Sequence, residues 1–159
     1  KAYIAASATG YYGSKTSKEI YTEQDPKGND FLAEVCDQWE IASSKFERLG
    51  IRTVILRTGV VFNDRKGAFP KMTQSLKFGF VSGLGKGNQY IPWVHLQDLI
   101  RIYLLSVDND ELNGIYNAVA PDHLTQDKLS DQLSKISGKI RIPNLPAVFL
   151  KIMLLLCIQ

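Results

Sequence analysis

Cysteine and histidine are nearly missing from this 159-residue chain, which holds two of each. Cys36 and Cys157 lie far apart, with no Cys-x-x-Cys and no neighbouring histidine, so neither a zinc site nor a disulfide framework is signalled and no metal is expected. A long basic run is also missing, and the formal charge of +3 is mild. That excludes the electrostatic footprint of a nucleic-acid or lipid-headgroup surface and suits a small anionic ligand better. KAYIAAS at the start has no basic leader and no cleavage site, so it reads as a strand rather than a signal peptide. LPAVFLKIMLLLCIQ at the other end is broken by Lys151 and is shorter than the roughly 18 apolar residues of a spanning helix, which predicts a buried helix. A reducing, cytoplasmic setting without a membrane or nucleic-acid partner is the expectation; composition says nothing of oligomeric state.

What is present suffices for a packed core, with 45% hydrophobic and 22% charged residues. Residues 2–7 read as a central parallel strand, and 8–28, rich in Gly, Ser, Thr, Pro and Asp without period, as loop. Asn29 and Asp30 are placed to cap a helix whose apolar positions Leu32, Val35, Cys36, Trp39, Ala42, Phe46 and Leu49 recur at three and four, with Gly50 as its stop. IRTVILR (51–57) is a β-branched strand, and strand, helix, strand is the crossover unit of a parallel sheet. Beyond it come a short helix around Pro70, the glycine-rich GFVSGLGKGNQ, a strand YIPWV and an amphipathic helix from His95 to Val107. A strand IYNAVA, a helix capped by Thr125 and stopped by Gly138, a short strand IRIP and the final apolar helix complete the pattern. Alternating strands and helices predict an α/β fold. A chain that opens in a strand and closes in a helix is expected to be a piece of a longer protein.

SATGYYGSK (7–15) contains a serine and a literal Tyr-x-x-x-Lys, the arrangement with which a lysine beside a phenol moves protons. The two side chains must then lie one helical turn apart. Tyr11 and Lys15 instead bracket Gly13 in a stretch without helical period, directly after a strand, so the match is expected to be accidental. On the helix where such a pair belongs, the residues at the right spacing are Cys36 and Glu40. A thiol and a carboxylate do not replace a phenol and an ammonium. Cys36 and Trp39 as core, with Glu40 solvent-facing or salt-bridged, stands as the alternative.

SATGYYG at a strand end, FLAEVCDQWE on a long helix, LRTGVVF, GKGNQYIPWVHLQDL and YNAVAP, in that order, resemble the second half of an extended short-chain dehydrogenase/reductase. More narrowly they resemble the atypical epimerase family proteins, a branch of nicotinamide-dependent sugar-nucleotide epimerases. The resemblance implies a Rossmann-like parallel sheet, second half only, with a small C-terminal α/β substrate lobe. Residues 1–66 would complete the dinucleotide-binding domain, and 67–159 would form mainly the substrate lobe with a returning strand and helix. The glycine-rich cofactor half would lie upstream, in a parent of roughly 300 residues. Gly83-Leu84-Gly85-Lys86-Gly87 is no substitute, because it leads into a strand and not a helix N-terminus.

By the same resemblance the cofactor is NADP, with NAD possible. Ser7, Ala8 and Thr9 would face it at a strand end, and Arg57, Thr58, Gly59, Val60 and Val61 would line it after the next strand. Arg57 has a structural alternative, a buried salt bridge from strand end to helix. Ser7, Tyr11, Tyr12 and Glu40 are the catalytic candidates, although the relay Ser or Thr of typical epimerases falls here on Ala8. Lys71, Lys86, Gln89, Trp93 and His95 are the substrate-binding candidates, an anionic or sugar-like ligand suiting lysines and an indole; His95 beside Asp98 also suits a helix cap. The expected function is an NADP-dependent oxidoreductase or epimerase acting on a nucleotide sugar or similar small molecule. The alternative is a catalytically silent NADP-binding sensor or docking protein.

Overall fold

The computed structural model describes residues 1–83 and 85–145; the expected final apolar helix and Cys157 lie outside the described residues. In chain order the first half carries β1 (Ala2–Ala8), α1 (Phe31–Ser44), β2 (Arg52–Thr58), β3 (Val60–Phe62) and α2 (Ala68–Met72). The second carries β4 (Phe80–Val81), β5 (Tyr90–Ile91), β6 (Trp93–His95), α3 (Leu96–Asp108), β7 (Gly114–Ala118), β8 (Leu124–Thr125), α4 (Gln126–Ser137) and β9 (Ile140–Arg141). They form two compact units, one of residues 1–63 with 92–121, the other of 64–91 with the residues from 122 on.

The first unit is built on a parallel sheet of order β1-β2-β7. β2 sits in the middle and is buried along Thr53–Arg57, as a β-branched strand covered on both faces should be. Alternation along it sorts the two faces. Val54 and Leu56, with Ile4, Tyr116 and Ala118, pack against Leu99, Ile102 and Tyr103 of α3. The opposite face, reached by Ser7 and Arg57, lies under α1. Arg52 at the start of β2 donates to the carbonyls of Ser106, Val107 and Leu112, so the C-terminal turn of α3 is tied to the sheet.

α1 follows the predicted cap but turns the expected stripe the other way. Asp30 accepts from the Ala33 N–H at its N-cap, and Ala33, Cys36, Glu40 and Ser43 form the buried face. Leu32, Trp39 and Leu49, expected in the core, are exposed, Trp39 by 55%. The physical reason is distance: small side chains let the helix approach β1 and the turn after it, where Gly10 lies close enough that a Cβ there would meet the Cys36 sulfur at 3.6 Å. Bulk is displaced outward.

YIPWV is not one strand. Pro92 divides it, with β5 antiparallel to β8 in the second unit and β6 parallel to β3 in the first. The Pro92 carbonyl accepts from the Val60 N–H at 2.7 Å, and a Cβ on Gly59 would stand 2.7 Å from that same oxygen, so only glycine fits there. In the second unit α4 is capped by Thr125, whose hydroxyl accepts from the Lys128 N–H, and ends at Gly138. Arg141 donates to Asp127, Asp131 and Asn144, and Asn144 donates to Asp127, joining β9 to α4.

The cap of α1 sets a pH response. Asp30 accepts from the N–H groups of Ala33 and Ser14, which hold its carboxyl below the usual carboxylate range. A depressed folded value means that its contribution is complete above the unfolded aspartate value of about 3.9 and is lost as pH falls through the lower folded one. The urea midpoint of the protein should therefore drop, as pH falls below about 4, more steeply than that of Asp30→Asn, in which the cap is kept but cannot ionise. Parallel pH profiles for the two proteins would contradict this.

Candidate functional site

Three parallel strands finish together at one end of the first unit. The register aligns Ser7, Arg57 and Asn117, each the penultimate residue of its strand, in one transverse row. Aligned residues of a parallel ladder leave the same face, so this row brings a hydroxyl, a guanidinium and an amide together at the carboxyl ends of the strands, where open α/β sheets bind ligands.

Arg57 is the centre. It is 1% exposed, and Glu40, reaching down from α1, is 6% exposed. The pair is fork to fork: Arg57 Nε donates to Glu40 Oε1 at 2.9 Å and Nη2 to Oε2 at 2.8 Å. Nη1 donates to the Tyr12 hydroxyl at 2.9 Å and to the Glu23 carbonyl at 3.3 Å. The Tyr11 ring covers the cation, its centroid 3.5 Å from the guanidinium carbon. Burial opposes the charge, and the bonds to Glu40 and Tyr12 more than offset it, so the guanidinium is held above its ordinary range and stays charged.

Around this ion pair the remaining groups are spent on one another. Ser7 donates its hydroxyl proton to Glu40 Oε1 at 2.7 Å, and because an ionised carboxylate only accepts, that proton is committed. Tyr12 donates to Asn117 Oδ1 at 2.7 Å while accepting from Arg57, and burial raises its phenol above the usual value. Asn117 in turn donates its backbone N–H to the Glu23 carboxylate at 2.7 Å. Tyr21 stacks on Tyr12 with centroids 5.1 Å apart, so the loop between β1 and α1 is strapped over the strand ends by Tyr21 and Glu23. Burial also pushes the Cys36 thiol up, which keeps it protonated and unreactive.

The literal Tyr-x-x-x-Lys is not a pair. Tyr11 sits in a single 3-10 turn, Thr9–Tyr12, ended by Gly13 at φ 81°, and Lys15 lies beyond it in solvent. Ala8 and Thr9 are half-buried next to the row. Thr58 bonds its own strand, and the N–H groups of Gly59 and Val60 are taken by the carbonyls of Ala118 and Pro92. Val61 pairs with Val94. Trp93 stacks on Phe62 with centroids 4.9 Å apart, and His95 Nδ1 accepts from the Gln97 N–H as the N-cap of α3. Trp93 and His95 belong to the first unit; Lys71, Lys86 and Gln89 belong to the second, with both lysines exposed. Sequence reasoning missed Asn117, Glu23 and Tyr21. A lone amide at the end of the strand IYNAVA was a signal for the first; the loop offered none for the others.

Among the described residues no group of three or more His, Cys, Asp or Glu side chains is placed to hold a metal, and no helix is long and apolar enough to cross a membrane. For a nicotinamide dinucleotide the fit is partial. The strand ends present a polar, preorganised wall with two half-buried phenols beside it, Tyr11 and Tyr21. No glycine-rich turn from a strand into a helix N-terminus, as a pyrophosphate requires, occurs among the described residues.

Comparison with known proteins agrees with this geometry. No family model matches the chain. An epimerase family protein of Staphylococcus saprophyticus is 34% identical over 152 residues, which are 94% of this chain and 50% of the relative. The nucleoside-diphosphate sugar epimerase from Corynebacterium glutamicum superposes with a TM-score of 0.74 at 31% identity, over 94% of this chain and 33% of that one. Human epimerase family protein SDR39U1, solved with NADPH, superposes with a TM-score of 0.82 at 28% identity, over 94% of this chain and 50% of that one. The chain thus spans about half the length of the curated relatives it matches.

The ion pair makes a sharp energetic prediction. Glu40→Ala strands a buried cation and should cost about 3–5 kcal/mol in chemical denaturation, whereas the paired replacement Glu40→Met with Arg57→Met, which leaves no charge behind, should cost clearly less. Equal losses for the single and the double variant would contradict a desolvated pair.

Proposed function

Since the chain belongs to the epimerase family proteins of the extended short-chain dehydrogenase/reductase class, we propose that it is part of an NADP-dependent oxidoreductase or epimerase acting on a nucleotide sugar or a similar small molecule. One observation carries the reading: Ser7, Arg57 and Asn117 lie in one row at the carboxyl ends of three parallel strands, under a helix that fixes them through Glu40. The choice of NADP leans on the human relative solved with NADPH; a more distant neighbour of the same fold, the UDP-glucose 4-epimerase of Thermus thermophilus, was solved with NAD.

A bound nicotinamide would supply hydride transfer, and this chain would supply position and polarity. Ser7, its proton turned toward Glu40, presents lone pairs to a neighbouring hydroxyl or N–H. Arg57 orients that serine through Glu40 and holds Tyr12 through its hydroxyl. The strap through Glu23 and Tyr21 keeps water from the ion pair. Turnover requires a proton donor and acceptor, for which Tyr11, stacked on Arg57, is the candidate phenol.

A second reading has its own support. Cys36 and Glu40 stand where a catalytic tyrosine and lysine belong in this class, and Glu40 is locked to Arg57. A protein that binds NADPH without turnover, as a redox sensor or docking module, suits that arrangement.

Titration of NADPH, followed by nicotinamide fluorescence, into the full-length protein and into this chain side by side tests the shared claim. Saturable binding by the full-length protein, weakened at least tenfold by Arg57→Leu, is the expected result; no binding by either would remove the cofactor from the account. Oxidation of the bound NADPH by a member of a nucleotide-sugar and carbonyl panel selects the enzyme, and oxidation by none selects the sensor.

A further inference from the structure

The two adjacent tyrosines of the turn after β1 are not equivalent. Tyr12 is buried, and both functions of its hydroxyl are used, donating to Asn117 and accepting from Arg57. Its oxygen has no capacity left for a ligand without breaking the network that fixes Arg57. Tyr11 is half-buried, and its hydroxyl has no hydrogen-bond partner among the described residues. Its ring is nevertheless fixed on two sides: the Arg57 guanidinium carbon stands 3.5 Å from the ring centroid, and the Tyr12 ring meets it edge-on at 5.5 Å. A stacked cation anchors an aromatic ring without consuming its hydroxyl. Tyr21, the third ring of the cluster, stacks on Tyr12 rather than on Arg57, and its backbone carbonyl accepts from the Asn117 amide.

Of the hydroxyls on the strand-end row and the turn that follows it, those of Ser7 and Tyr12 are committed to protein acceptors, and of the remaining two, Thr9 and Tyr11, Tyr11 is the one stacked on the Arg57 guanidinium. Tyr11 combines a free hydroxyl with a ring held in place by a buried, permanently charged group. That combination is what a ligand contact needs, because orientation is set before the ligand arrives and no internal bond has to be exchanged for the new one. We propose that Tyr11 is the tyrosine that contacts the bound nicotinamide dinucleotide, its hydroxyl donating to an acceptor on that ligand, and that Tyr12 is a positioning residue that holds Arg57 beneath it. The proposal rests on the NADP-binding reading above and specifies which residue of the turn serves it.

Acetylation of accessible phenols by N-acetylimidazole, mapped by mass spectrometry on the full-length protein, tests this after NADPH binding has been measured by fluorescence. Tyr11 should be acetylated in the free protein and protected at least tenfold by saturating NADPH, while Tyr12 stays unmodified in both states. Tyr11→Phe should raise the NADPH Kd about tenfold, equivalent to about 1.4 kcal/mol, with an unchanged Tm, because it leaves the stacked ring in place. Acetylation of Tyr11 at the same rate under saturating NADPH, or an unchanged Kd in Tyr11→Phe, overturns the proposal while leaving the cofactor reading intact. Failure of the full-length protein to bind NADPH at all overturns both.

Discussion

A guanidinium buried to 1% exposure cannot be left unpaired, and the surroundings of Arg57 are arranged to meet that constraint. The carboxylate must come from α1, so α1 must lie close enough for Glu40 to reach β2. Closeness requires Ala33, Cys36 and Ser43 on the contact face and displaces Leu32 and Trp39 outward. The third direction of the fork is closed by Tyr12 and the Glu23 carbonyl, and the open face by the Tyr11 ring. One charge thereby determines where a helix, a turn and a loop sit relative to the strand ends.

That arrangement accounts for how much the sequence disclosed. Strand, helix and strand were legible because β-branched runs and the Asp30 cap act locally, although the helix ends at Ser44 and Gly50, expected as its stop, closes the separate 3-10 turn Glu47–Leu49. His95 and Thr125 were legible as helix starts for the same reason. The orientation of α1 was not, since an apolar stripe at helical spacing reports amphipathicity and does not say which neighbour takes it. For Arg57 a buried salt bridge to a helix was legible as an alternative, and for Glu40 a salt bridge or a solvent-facing position, but that the two bond each other, 17 positions apart, depends on packing. The division of YIPWV at Pro92 was missed although the proline was visible, because either side of it has strand propensity and only the tertiary partners differ. Glu23 lies in a stretch without period, and its two contacts, to Arg57 and Asn117, are both distant in sequence.

The helix above the strand ends and the sheet beneath it offer different groups. A catalytic phenol and lysine one turn apart on a helix would offer a proton donor and a cation to a ligand. Here the same helix offers a thiol held protonated and a carboxylate already neutralised from below. The cation lies instead in the sheet, at Arg57, and a half-buried phenol lies in the turn after β1, at Tyr11. Cation and phenol are in contact, stacked rather than spaced along a helix.

The central claim is that Arg57 is a buried, permanently bonded charge that organises the strand ends. Nitrogen-15 NMR of the Arg57 side chain in the full-length protein tests it most directly. The expected Nε–H resonance is resolved, shifted by its carboxylate bond and slow to exchange with water, and it loses this protection in Glu40→Gln. An Nε–H that exchanges as fast as that of a solvent-exposed arginine would contradict it.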